Sequence, residues 1–137
     1  MKRRIHFSVA GVLALLLLAV SAFAHHSFDA EFSTTDPVSF DATITKVEWI
    51  NPHVQIYVDA LVDNKAVPWR ISTWDPHLLR AAGMMREKFI VGQKVNIIAY
   101  RAKDGSKIAY LRHIKFPEGR EFDLWIGGVN GSNEQQR

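Results

Sequence analysis

Three histidines carry the candidate chemistry of this chain. His25 and His26 are adjacent and directly follow Ala22-Phe23-Ala24, and His53 follows Asn51-Pro52. A nitrogen-rich, roughly planar ligand set is what Cu(II) prefers. Cleavage after Ala24 makes His25 the first residue, so that its free amine and its imidazole chelate one Cu(II) in the arrangement called a histidine brace, with His26 beside them and His53 as a further imidazole. Cleavage after Ala22 makes His25 the third residue, and the chelate for Cu(II) or Ni(II) then comes from amine, backbone amides and imidazole. Both cuts stay open, as does the plainer reading of His25 and His26 as solvated residues on a frayed end. His53 has two readings as well: third ligand, or strand-edge histidine holding the Asn-Pro turn by a hydrogen bond.

These readings depend on export. Residues 1–24 have the three-part layout of a cleaved secretory signal peptide: basic Lys2, Arg3 and Arg4, an apolar run from Phe7 to Val20, then small residues around the cleavage site. The run is shorter than a membrane span and lacks a stop-transfer flank, so no stable membrane anchor is expected after cleavage. The expected location is periplasmic or secreted. Three of the 17 basic residues leave with the signal while all 14 acidic ones stay, which balances the exported chain at zero. The pI near 9.3 therefore describes the precursor, and no nucleic-acid partner is expected. Zero cysteines exclude disulfides, thiol catalysis, cysteine-ligated zinc and blue copper.

The elements that must position His53 follow from period-two alternation. After an extended lead-in over 25–37, Val38, Phe40, Ala42 and Ile44 alternate with polar residues. Val47 and Trp49 then fall one step out of phase, which predicts a bulge near Thr45 and Lys46. A second strand sets Val54, Ile56, Val58 and Ala60 against His53, Gln55, Tyr57 and Asp59, and Asp63-Asn64-Lys65 turns it into a third carrying Val67, Trp69 and Ile71 against Arg70, Ser72 and Trp74. Asp75 caps a short helix with Pro76 at its first position, Leu78, Leu79 and Ala82 inward, and Gly83 at its end. Val95, Ile97 and Ala99 mark a fourth strand, Asp104-Gly105 a turn, and 108–116 a fifth strand with both faces partly apolar. Phe122, Leu124 and Trp125 suit a last short strand.

This order predicts a mainly β fold: a small five-stranded OB-like Greek-key barrel over 38–126, one short helix between strands 3 and 4, and a disordered tail over 127–137. In such a barrel the strand 2 and 3 surface is the usual ligand face, so Gln55, Tyr57, Arg70 and Trp74 join His53 as its candidates. Phase puts Trp49 and Trp69 in the core and leaves only Trp74 outward. His77 reads as an exposed helix residue and His113 as a packed, hydrogen-bonded one. No nucleophile is arranged with Asp75 and His77, and neither a phosphate loop nor a zinc-protease helix motif is present, so an enzyme is not expected.

Three separated motifs also occur in one order: His25-His26-Ser27-Phe28, then Lys46-Val47-Glu48-Trp49 leading into Asn51-Pro52-His53, then Tyr100-Arg101-Ala102-Lys103-Asp104-Gly105-Ser106. Together they resemble a domain-of-unknown-function family of small exported bacterial proteins, over nearly the whole mature chain. The resemblance implies a periplasmic OB-like barrel and directs interest to His25, His26 and His53 without naming a ligand. Similar proteins often carry Gly-Trp-Thr-Arg where this chain has Gly83-Met84-Met85-Arg86; its paired thioethers suit either Cu(I) or a core gap at the helix end. The expectation is thus an exported binding protein, with copper on the N-terminal histidines as one reading. The alternative is a metal-free module that binds a small molecule, glycan or envelope protein partner.

Overall fold

The structure is a computed structural model that describes residues 28–124. The predicted signal peptide, His25, His26, Trp125 and the 127–137 tail lie outside the described residues. The chain divides into a unit ending at Glu31 and a second beginning at Phe32. Residues 28–31 of the first are helical, and every strand among the described residues belongs to the second.

The strands are β1 (Phe32–Glu48), β2 (Gln55–Val62), β3 (Lys65–Ser72), β4 (Lys94–Ala102), β5 (Ile108–Lys115) and β6 (Glu121–Asp123); helix α1 (Pro76–Ala81) and a 3-10 turn (Arg86–Lys88) lie between β3 and β4. They form a six-stranded sheet in the order β3-β2-β1-β4-β5-β6, with one additional pairing, parallel, between β3 and β5. The expected five-stranded OB-like Greek-key barrel is therefore corrected. A sixth strand extends the sheet past β5, and the β3–β5 contact is a seam limited to Arg70–Ile108, Ile71–Ala109 and Ser72–Tyr110. β6 pairs with His113, Ile114 and Lys115. The mainly β character and the short helix between strands 3 and 4 are kept from that expectation, but the sheet is not a closed barrel.

β1 also begins earlier than its alternation suggests. Phe32 pairs with Ala102 and Pro37 with Tyr100, with a register irregularity between them, so residues 32–37 of the stretch read as a lead-in belong to β1. Backbone pairing needs no apolar alternation, which is why periodicity missed it. Further along, the register jumps between Ile44 and Lys46, as the phase slip predicted.

A second irregularity resolves the two-sided look of β5. Ile98 pairs with His113 but Ala99 with Leu111, so Arg112 is the extra residue. Ala109 and Leu111 face the core before it, and Ile114 and Phe116 after it. The carbonyl of Arg112 accepts from the Leu124 amide at 2.7 Å, which ties the segment after β6 to the bulge.

Val54, just before β2, with Ile56, Val58 and Ala60 from β2, Trp69 and Ile71 from β3, Ile97 and Ala99 from β4 and their β5 counterparts share one core with Leu79 and Met84. Ile44, Ile56, Ile71 and Ile97 are wholly buried, each worth roughly 1.5–3 kcal/mol over an exposed position. Asp63 and Asn64 adopt φ of 48° and 61°, the left-handed pair that a two-residue hairpin requires and that these side chains tolerate. Asp75 Oδ1 accepts from the His77 and Leu78 amides at 2.8 and 3.0 Å. Leu79 is buried and Ala82 half-buried, but Leu78 faces solvent. Gly83 closes the helix at φ +81°.

Candidate functional site

Two rungs of side chains cross the outward side of β1, β2, β3 and β5. Glu48 pairs with Gln55, Gln55 with Ser72 and Ser72 with Tyr110; beside them Lys46 pairs with Tyr57, Tyr57 with Arg70 and Arg70 with Ile108. The β1 bulge makes the first members possible. Without the extra residue Lys46 and Glu48 would continue the phase of Ala42 and Ile44 and point into the core.

The outward groups are already engaged with one another. Lys46 Nζ donates to Glu48 Oε1 at 2.6 Å and lies 5.1 Å from the centre of the Tyr57 ring, while the Tyr57 hydroxyl donates to Glu48 Oε2 at 3.0 Å. Gln55 Nε2 donates to Ser72 Oγ at 2.9 Å. The Lys46 ammonium, then the Tyr57 hydroxyl, hold the Glu48 carboxyl below the usual range, and Arg70 adds to this through space. Glu48 in turn raises Lys46. Burial pushes the Tyr110 phenol up to about 12, with the charge of Asp75 adding to it.

His53 stands exposed at the head of this surface. Its Nδ1 lies 3.1 Å from the Thr73 carbonyl oxygen, and its ring meets Tyr110 edge-on with centroids 6.2 Å apart. A carbonyl only accepts, so Nδ1 carries a proton, and in the neutral ring the lone pair is then on Nε2. The contact ties the residue after the cis Asn51–Pro52 bond to the end of β3. His53 is thus a hydrogen-bonded histidine, and its second nitrogen remains available as an acceptor or ligand.

Gln55, Tyr57 and Arg70 lie on the predicted face, but Trp74 does not. It is 9% exposed and belongs to the core. β3 ends at Ser72, and Thr73 and Trp74 leave the alternation because the Thr73 amide donates to Val54 O and the Val54 amide to Trp74 O. Trp69 is buried and Trp49 half-buried, in line with their phase. Met84 fills the core whereas Met85 is exposed. His77 is exposed; His113 Nδ1 meets Asp123 Oδ1 at 2.9 Å and Nε2 lies 3.6 Å from Glu121 Oε2.

Lys46, Glu48, Ser72 and Tyr110 were not among the sequence candidates. The phase slip that exposes Lys46 and Glu48 was readable, but the arrival of Tyr110 beside Ser72 depends on the β3–β5 seam. Among the described residues no three of His, Asp and Glu gather as a metal site. A groove of about 720 Å³ is bordered by Asp41, Asp59, Lys94 and Lys115 and contains none of the predicted site residues.

What this surface offers chemically is a set of donors and acceptors, of which the Gln55 amide, the Tyr57 phenol and the His53 ring are held by polar partners and the Arg70 guanidinium is exposed beside them. No curated protein and no solved structure matches the chain. Residues 13–110, which include β1 to β4 and the start of β5, match the family of unknown function DUF6152 over more than half of the sequence, and the chain belongs to that family.

Proposed function

We propose that this chain is a metal-free binding module of the cell envelope that holds a small molecule, a glycan or a protein partner on the outward β2–β3 surface. The observation that carries the reading is the mutual pairing of that surface. Glu48 is held by Lys46 and Tyr57, and Gln55 by Ser72, so these side chains have less freedom to lose when a ligand docks. Arg70 and His53 Nε2 supply a positive charge and an acceptor beside them. No catalytic step is assigned. The test is capture on immobilised signal-processed protein, with a glycan array and an envelope metabolite extract as probes and mass spectrometry as readout. His53→Ala and Arg70→Ala lose the captured species, whereas trimming the chain to Phe28 does not. Loss on trimming alone would overturn the reading.

A second reading is supported by the tautomer of His53. Metal-ligating histidines usually donate their other ring nitrogen to a carbonyl or carboxylate, and His53 donates Nδ1–H to Thr73 in this way. We propose as the alternative that its Nε2 joins the amine and imidazole of His25, with His26, on Cu(II). Electron paramagnetic resonance of the processed chain with one equivalent of Cu(II) then shows a nitrogen-rich signal that changes in His53→Ala. A free-copper spectrum at stoichiometric protein would discard it.

A further inference from the structure

Seven large apolar side chains are strongly exposed among the described residues, and four of them fall on two connections at one end of the sheet. Ile50, between β1 and β2, is 53% exposed; Met85, Ile90 and Val91, between α1 and β4, are 41%, 59% and 65% exposed. Trp49 and Phe89 bring the two connections together with ring centroids 5.8 Å apart. The Gly92 amide donates to Ile44 O and the Ile44 amide to Gln93 O, at 2.7 and 3.0 Å, which fastens the second connection to β1. Ile50 follows Trp49 directly and Ile90 and Val91 follow Phe89, so the exposed side chains are carried by an anchored aromatic pair.

Charge surrounds this apolar end. Trp49 and Met85 share a groove of about 570 Å³ with Arg80, Arg86 and Glu87, and Lys88 completes the 3-10 turn. Arg80, Arg86, Glu87 and Lys88 are exposed, and among the described residues none of them belongs to an ion pair. Arg80 Nε is turned back to Pro76 O at 3.0 Å. Three cations therefore stand against one carboxylate around a projecting aliphatic tip. Exposed apolar side chains rimmed by cations combine the two attractions that hold a protein at an anionic bilayer surface, insertion at the headgroup boundary and charge.

We infer that the Ile50/Ile90/Val91 end, with Arg80, Arg86 and Lys88, is a reversible docking surface for an anionic lipid bilayer. It is independent of the ligand surface on β2–β3. Its far counterpart, Leu61 and Val62 beside the β2–β3 turn, serves as an internal control because it is also exposed.

The test is co-sedimentation of the signal-processed chain, its terminus verified by intact mass, with phosphatidylglycerol–phosphatidylcholine vesicles and with pure phosphatidylcholine vesicles. Binding to the anionic vesicles is at least tenfold stronger and weakens as salt rises. Ile90→Ser/Val91→Ser and Arg86→Glu/Lys88→Glu each lower it at least tenfold, and Leu61→Ser/Val62→Ser leaves it unchanged. All six positions are exposed, and circular dichroism with a melting curve verifies that each variant is folded. Equal partition onto both vesicle types, or binding indifferent to the first two variants, overturns the inference. So does a dimer in sedimentation equilibrium that Ile90→Ser/Val91→Ser dissolves, since the occupant is then a second copy of the chain.

Discussion

β2 and the two residues leading into it send side chains in opposite directions, and the two rows are built on different principles. Inward, Val54, Ile56, Val58 and Ala60 are at most 1% exposed and are held by shape and apolar contact. Outward, His53, Gln55 and Tyr57 are each tied to a named polar partner. The inward row supplies stability and the outward row supplies chemistry, and what joins them is register. A single-residue slip would exchange the two, so the bulge between Ile44 and Lys46 is as much part of the site as Glu48 is.

Substitutions that disturb one row should leave the other readable. The largest expected effect is Trp74→Ala. Because Trp74 is core, it should lower unfolding free energy by about 3–5 kcal/mol, measured by urea denaturation, whereas loss of a surface residue would stay within about 0.5 kcal/mol. Thr73 sharpens the contrast from the other side. It is fully buried with no hydrogen-bond partner for Oγ1 among the described residues, so Thr73→Val should raise stability by about 1 kcal/mol while its carbonyl still orients His53. A destabilised Thr73→Val would show that the hydroxyl has a role.

On the outward row Tyr57→Phe removes the hydrogen bond to Glu48 and should cost about 1 kcal/mol or less. Its clearer readout is Glu48, whose carboxyl pKa, followed by NMR, should move back up toward the ordinary value.

The last effect concerns Asp75, the cap of α1 that follows β3. The Leu78 amide, then the His77 amide, lower its pKa from 3.8 in the folded chain. A depressed carboxylate stabilises the fold above its unfolded pKa, and this contribution is lost as pH falls through the lower folded value. Asp75→Ala should therefore melt below the wild type at neutral pH, with a gap that starts to shrink near 3.8 and closes below it. A gap constant down to full protonation would contradict the cap.

Local features were legible in advance for a physical reason. The Asp63-Asn64 turn, the Asp75 cap with Pro76 and Gly83, and the Thr45–Lys46 bulge each depend on a few adjacent residues. Trp74 was misplaced because alternation was extended past Ser72, where the ladder had already ended. The bulge at Arg112 was hidden because apolar residues stand on both sides of it, leaving no single phase to read.

By itself, the sequence determined where the chain turns, which face of each early strand is apolar, and that His53, Gln55, Tyr57 and Arg70 share an outward phase. Only the tertiary structure decided the six-stranded order, the meeting of Ser72 with Tyr110, the burial of Trp74 and the nitrogen of His53 that is left free. The difference is one of range. Dihedral preference and period act between neighbours along the chain, whereas strand order and a histidine's partner are set by backbone groups that pair across tens of residues, as His53 does with Thr73.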